Sequence, residues 1–114
     1  MARYIQSATG IPGSFGVLPQ DPARCFAVFG SDVRRPGDTD GARIQVQIRG
    51  PDAGSAIPAT DADTISGLLD DFSGLFHADG NYIVRVDLES GPASLGADNN
   101  NRQLYSINFR VWYC

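Results

Sequence analysis

Residues 43–49 read Arg-Ile-Gln-Val-Gln-Ile-Arg, and this stretch decides the fold because its side chains alternate between polar and aliphatic. Ile44, Val46 and Ile48 share one side, which is the two-residue period of a β-strand with one face in water. We expect the aliphatic side to lie on the core. Gly50 and Pro51 follow and are expected to end the strand.

The next element along the chain is a predicted helix. Thr60 is a suitable N-cap, and Asp61 and Asp63 would stand in the first turn, where the helix dipole favours negative charge. Gly74 is expected to end the helix. Apolar residues recur between these limits at helical spacing and form one stripe, namely Ile65, Leu68, Leu69, Phe72 and then Leu75 or Phe76.

Three further strands are predicted around this strand and helix. They are the apolar run from Cys25 to Phe29, the alternating segment 82–89 and the long final segment 104–113. The order strand, strand, helix, strand, strand predicts an α+β fold. We expect a four-stranded, mainly antiparallel sheet with one main helix packed on one face.

The remaining segments are predicted to be irregular. Glycine and proline interrupt residues 1–24, so at most one short turn of helix is expected there, within Ala2–Ala8. Residues 30–41, 51–59 and 90–102 are predicted as long loops, which are often functional. We expect them to become ordered on contact with neighbouring proteins. With 114 residues, the chain is expected to form a single domain, 1–114.

Composition narrows the classes of function. The net charge is −4 and all nine basic residues are arginines, so a sequence-independent grip on nucleic acid phosphates is not expected. No apolar run reaches the roughly 18 residues of a membrane span, and the first residues do not resemble a secretory signal. We expect a protein made in a cytoplasm, without a membrane partner. Cys25 and Cys114 form neither a disulfide framework nor a metal pattern, and reduced thiols are expected.

Candidate catalytic groups are few. His77 is the only histidine, so it is the one histidine that could serve as the base for a catalytic nucleophile. The predicted position of His77 in a turn after the helix favours a structural role. Three His and Cys residues scattered along the chain do not make a zinc site. The paired carboxylates Asp61 and Asp63 are explained by the helix N-terminus, and Asp70 and Asp71 by a solvated helix face. The sequence therefore predicts no catalytic residue, no metal site and no cofactor.

Two segments carry a resemblance to a known family. Residues 92–109 read Pro-Ala-Ser-Leu-Gly-Ala-Asp-Asn-Asn-Asn-Arg-Gln-Leu-Tyr-Ser-Ile-Asn-Phe, and residues 42–50 read Ala-Arg-Ile-Gln-Val-Gln-Ile-Arg-Gly. Together with the helix between them, they resemble small tailed-bacteriophage proteins classed as minor capsid proteins, which include tail terminators. The resemblance spans about residues 25–114. Within residues 92–109, Asp98 is expected to lie in a turn and to accept hydrogen bonds from backbone amides and from Arg102.

The resemblance implies a tail terminator of a siphovirus-like particle. Such a protein would form a ring, a homo-hexamer, on the head-proximal end of the tail tube and end its polymerisation. Its partners would be further copies of itself, the major tail tube protein and the head connector, with DNA passing through the lumen without specific binding. Arginine and tryptophan are favoured anchors of protein contacts, and the candidates are Arg34, Arg35, Arg43, Arg49, Arg102 and Trp112.

Two alternatives stay open. A head-closure or neck connector protein of the same virion would sit one ring higher, and the sequence does not separate it from a terminator. A small ligand-binding α+β domain unrelated to viruses would instead have a deep apolar pocket with convergent polar groups. Aromatic residues on the last strand would also allow stacking on nucleic acid bases, which the acidic balance of the chain opposes.

Overall fold

The structure is a computed structural model that describes residues 2–20, 23–30, 42–50, 57–70, 76–78, 81–98 and 102–113. The elements in chain order are α1 (Ala2–Thr9), β1 (Gly13–Phe15), β2 (Cys25–Gly30), β3 (Ala42–Arg49), α2 (Ile57–Leu69), β4 (Phe76–Ala78), β5 (Asn81–Ala97) and β6 (Gln103–Tyr113).

The predicted α+β class is confirmed. The described strands form one sheet in the order β1-β2-β3-β6-β5-β4, in which only β1 and β2 are parallel to each other. The four predicted strands are its central ones, and the antiparallel β3–β6 pair joins the two halves of the chain. The four-stranded prediction missed β1 and β4, because three-residue strands at the sheet edges are too short to show a period.

The core lies between the helices and one face of the sheet. The alternation predicted for β3 is observed, since Val46 and Ile48 are fully buried there and Ile44 packs against the same core. Helix α2 packs on β3, β5 and β6, and α1 packs on α2 and β1. The core side chains are Ile5, Ile11, Phe26, Val28, Val46, Ile48, Ala62, Ile65, Leu69, Val86, Ile107, Phe109 and Val111.

Residues 1–24 are more regular than predicted. Helix α1 runs for eight residues because the first glycine comes only at Gly10, and it buries Ile5 in the core. Gly10 ends the helix with φ +76° and donates its N–H to the carbonyl of Gln6 at 2.8 Å. A residue in this left-handed conformation is a common helix terminator. Strand β1 then pairs with β2, so the segment forms one edge of the sheet.

Helix α2 begins earlier and ends earlier than predicted. It starts at Ile57 with Pro58 in its first turn, where the missing N–H of proline costs nothing. Thr60 therefore lies inside the helix and is not its N-cap. The helix ends at Leu69, and Phe76, predicted as part of its apolar stripe, lies in β4. Phe72, Asp71, Gly74 and Leu75 lie outside the described residues.

The predicted loop 90–102 is mostly strand. Strand β5 continues to Ala97 and pairs with β6 through four register irregularities. Glycines in this segment indicated a loop, but Gly91 and Gly96 adopt positive φ within the strand and accommodate the irregularities. His77, predicted in a turn, lies in β4. Loop 51–59 is shortened by the early start of α2, and residues 31–41 and 51–56 lie outside the described residues.

Candidate assembly surfaces

The sheet face opposite the helices is polar, and we call it the helix-free face. On it lie Arg43, Gln45 and Gln47 of β3, which pair across the sheet with Arg110, Asn108 and Ser106 of β6. The Gln47 amide donates to Gln45 Oε1 at 3.0 Å, and the Asn108 amide donates to Ser90 Oγ at 3.0 Å. This face thus carries hydrogen-bonding side chains, most of which are half-buried.

Arg43, a predicted interface residue, lies on the helix-free face. Its side chain is 54% exposed, and its Nε donates to Glu89 Oε1 at 3.3 Å. The other carboxylate oxygen of Glu89 lies 3.6 Å from Nη2 of Arg110. Partly exposed ion pairs of this kind add little to stability.

Trp112, also predicted as an interface anchor, lies at the end of the same face. It is half-buried, and the guanidinium carbon of Arg85 lies 5.5 Å from the centroid of its ring. That distance suits a cation–π interaction. Arg85 Nε also donates to Asp87 Oδ1 at 3.0 Å, so the guanidinium is held between a carboxylate and the indole.

Arg49 was predicted as an interface residue, but the structure places it inside the chain with only 3% of its surface exposed. Its Nε donates to the carbonyl of Ala23 at 2.8 Å, and its Nη2 donates to the carbonyls of Pro19 and Gln20. The guanidinium therefore fixes the segment before β2 against the end of β3. Sequence alone missed this role because carbonyls of an irregular segment leave no pattern.

Arg102 and Asp98 close the turn between β5 and β6. Asp98 Oδ1 accepts the backbone N–H of Arg102 at 2.9 Å, and Oδ2 accepts its Nε at 3.0 Å. In return, the N–H of Asp98 donates to the carbonyl of Arg102 at 2.9 Å. Arg102 also donates from Nη1 to the carbonyl of Gln20 at 2.8 Å, so this turn and Arg49 hold the same segment.

An ion pair between Arg24 and Asp61 was not predicted. Arg24 Nε and Nη2 each donate to one carboxylate oxygen of Asp61 at 2.8 Å, and the Asp61 side chain is only 5% exposed. This hydrogen bonding raises the pKa of Arg24 above its ordinary value. Asp61 is thus a buried link between α2 and the segment before β2, and not a helix-capping group.

Two large apolar side chains are exposed at the β1 edge of the sheet and another at the β5 edge. Phe15 and Val17 are 63% and 58% exposed, and Leu95 is 51% exposed. Soluble monomers leave single apolar residues exposed often, but clusters of them commonly mark contact sites. Nothing in the sequence pattern separated these residues from loop residues.

The other predicted sites can be placed in part. Arg34, Arg35 and Cys114 lie outside the described residues. Cys25 is a free, buried thiol, and burial raises its pKa against the opposing effect of Arg49 and Arg102. Within the described ranges, His, Cys, Asp and Glu side chains gather nowhere in groups of three or more that suit a metal ion. Neither of the described helices has the length and apolar character that a membrane crossing requires.

Comparison with known proteins addresses the fold first. A solved structure matches with a TM-score of 0.57 at 14% sequence identity, over 100% of this chain and 89% of that chain. This likeness shows a shared α+β fold. No match is found among curated proteins.

The family is shown by a second comparison. The profile of the family described as bacteriophage tail terminator protein matches residues 4–113. Because this match spans almost the whole sequence, the protein belongs to the bacteriophage tail terminator protein family. The resemblance found in residues 92–109 and 42–50 is confirmed, and membership implies association with other proteins of the virion.

Proposed function

We propose that the protein is a tail terminator that forms a ring of identical subunits, a homo-hexamer, on the head-proximal end of the tail tube. The ring would end polymerisation of the tube and present a surface to the head connector. The observation that carries this proposal is the family match over residues 4–113. The protein would be assembled in the bacterial cytoplasm and remain in the virion as a single folded domain without catalytic activity.

The mechanism proposed is surface complementarity. The helix-free face offers paired amides and partly exposed charges, which suit the polar part of a protein interface. Trp112 and Arg43 are the proposed anchors there, and Arg34, Arg35 and Arg102 remain further candidates from the sequence. Arg49 is set aside because only 3% of its surface is exposed. The net charge of −4 is compatible with DNA passing through the ring without being bound.

Binding to isolated virion parts tests this function. Purified protein is mixed with unterminated tail tubes and, separately, with DNA-filled heads, and bound protein is measured by co-sedimentation and electron microscopy. We expect binding at one end of the tubes and none to heads alone. Binding to heads and not to tubes would contradict the terminator role and favour a head-closure protein.

Variants of the helix-free face refine the same assay. We expect Trp112→Ala to weaken tube binding by about thirtyfold, since truncating an aromatic anchor costs about 2 kcal/mol. Asp63→Ala, which changes an exposed residue of α2, is the control and should bind as the wild type does. Circular dichroism checks that both variants fold. Equal binding by all three proteins would remove Trp112 from the interface.

A further inference from the structure

In the part of the chain that the structure describes, the two edges of the sheet differ and neither is fully covered by a further strand. At one edge, β1 pairs only with β2 among the described strands. At the other, β4 covers β5 only over Asn81–Ile83, so most of β5 has no strand on its outer side in the described structure. Because the two edges are unlike, a contact between them would join copies head to tail. Head-to-tail contacts are the kind that generate rings.

Strand pairing places part of the exposed β5 segment at the height of Phe15. Phe15 pairs with Val28, and its row continues through Val46 and Ile107 to the part of β5 between Ser90 and Ala93. Leu95 lies further along the same segment. In a ring with its axis along the strands, neighbouring copies would meet at equal heights, and Phe15 would face this part of β5.

Both edges also lack charge at this height. Residues 5–20 contain no charged side chain, nor do residues 90–97, in a protein with 19% charged residues. Residues 90–97 are all exposed. Free sheet edges are usually protected by charged side chains, whereas the centres of protein interfaces are depleted of charge. The lack of charge in both segments is therefore compatible with burial in an interface.

The β1 edge presents its apolar side chains on a fixed backbone. The N–H of Gly16 donates to the carbonyl of Val28 at 2.9 Å, and the hydroxyl of Ser14 donates to the carbonyl of Val17. Gly13 lies directly over the ring of Phe26, where a Cβ would have no room. Phe15 and Val17 are thus held in an exposed position, which lowers the entropy cost of binding.

We propose that Phe15 and Val17 of one subunit pack against residues 90–97 of a second copy, the segment that also carries the exposed Leu95. This inference rests on the proposed function and names the contact between neighbouring subunits of the ring. Side-chain packing would dominate over a continuous backbone ladder. Pro92 has no N–H to donate, and the register irregularities of β5 interrupt a regular edge.

Single substitutions test each edge. Phe15→Asp and Leu95→Asp are expected to abolish the ring and leave monomers, measured by native mass spectrometry and by light scattering after size-exclusion chromatography. Ile57→Ser is the control, because Ile57 is a 41% exposed apolar residue at the start of α2 and belongs to neither edge segment. It should retain the ring. Circular dichroism and thermal melting check that each variant is folded.

Mixing the two variants tests the head-to-tail geometry. Phe15→Asp retains an intact β5 edge and Leu95→Asp retains an intact β1 edge, so one contact can form between them. We expect an equimolar mixture to give a heterodimer of one copy of each variant and no larger species. Absence of heterodimer although each variant alone is monomeric would overturn the proposal, as would a folded variant that keeps the ring.

The outcomes for this contact and for the proposed function can be separated. Tube binding is measured for the wild type in the assay described above. If the wild type binds tube ends as a ring and both edge variants still form rings, the proposed contact is wrong and the function stands. If the wild type is monomeric and binds no tubes, the proposed function itself fails.

Discussion

At the residue scale, the clearest energetic feature is the bidentate pair between Arg24 and Asp61. The carboxylate is almost fully buried, and each of its oxygens accepts a guanidinium hydrogen bond at 2.8 Å. Removing one partner of such a pair leaves the other without compensation for its lost hydration. Asp63, two residues further along the same helix, is exposed and provides a matched comparison.

We expect Asp61→Asn to lower the free energy of unfolding by about 2 kcal/mol, in the range of hydrogen bonds to charged groups. Asp63→Asn should change it by less than about 0.5 kcal/mol. Urea denaturation followed by the fluorescence of Trp112, the only tryptophan, measures both at one protein concentration. Equal effects of the two substitutions would show that the buried pair does not stabilise the fold.

The buried thiol of Cys25 predicts a pH dependence. Burial raises its pKa in the folded protein, so above the ordinary thiol pKa of about 8.5 the unfolded chain loses its proton first. The stabilising effect is present below that pH and is lost as pH rises towards the folded pKa. With Cys114→Ser as the background, the free energy of unfolding should fall by up to about 1.4 kcal/mol per pH unit in this window.

Cys25→Ala in the same background is the control for that measurement, since it keeps every other titrating group. Its stability should fall less between pH values of about 8 and 10 than that of the Cys25 protein. Parallel curves for the two proteins would show that the thiol does not contribute to the pH dependence.

At the element scale, the close approach of α2 to the end of β3 depends on a glycine. A Cβ on Gly50 would lie 2.5 Å from Cδ of Pro58 in the first turn of α2. The backbone of Gly50 and the ring of Pro58 cannot easily move apart. We therefore expect Gly50→Ala to destabilise the protein by about 1–3 kcal/mol through overpacking. Thermal melting of the purified variant measures this.

Gly67, in the same helix, is the matched control for that substitution. It is exposed, and a Cβ there would have no heavy atom within 4 Å. Gly67→Ala should therefore stabilise the protein by about 0.5–1 kcal/mol through helix propensity. A stabilising Gly50→Ala substitution would contradict the packing described for α2.

The same elements show what the sequence could and could not predict. The alternation in residues 43–49 predicted β3 and its buried face, because a two-residue period has one structural explanation. The predicted start of α2 was wrong. Thr60 and the aspartates suggested a helix start, whereas the helix begins at Ile57 with Pro58 in its first turn. The extension of β5 was missed because glycine and serine pair along a strand here without any hydrophobic period.

The candidate surfaces were predictable only in part. The turn of Asp98 and Arg102 could be expected because its two groups lie close in sequence and belong to a recognisable motif. The roles of Arg49 and Arg24 depend on carbonyls and a carboxylate at least 26 positions away, which no local pattern records. Phe15, Val17 and Leu95 were missed because exposure at a sheet edge is a property of the folded chain.

At the scale of the whole molecule, the fold combines a protected core with a sheet whose two edges are unlike and, among the described residues, not fully covered by further strands. The helices cover one face of the sheet, and the opposite face is polar. At both edges, exposed apolar residues lie in segments without charged side chains. A subunit of this design can meet a copy of itself at each edge while a face or an end remains for other virion proteins. This division of the surface is compatible with the proposed ring.

The most direct test of the terminator role is the length of tails made without this protein. In the phage that encodes it, deletion of the gene should give tails of uncontrolled, excessive length that are not joined to heads, measured on electron micrographs. Supplying the wild-type protein should restore uniform tails and head joining. Tails of normal, uniform length joined to heads in the deletion mutant would contradict the proposed function.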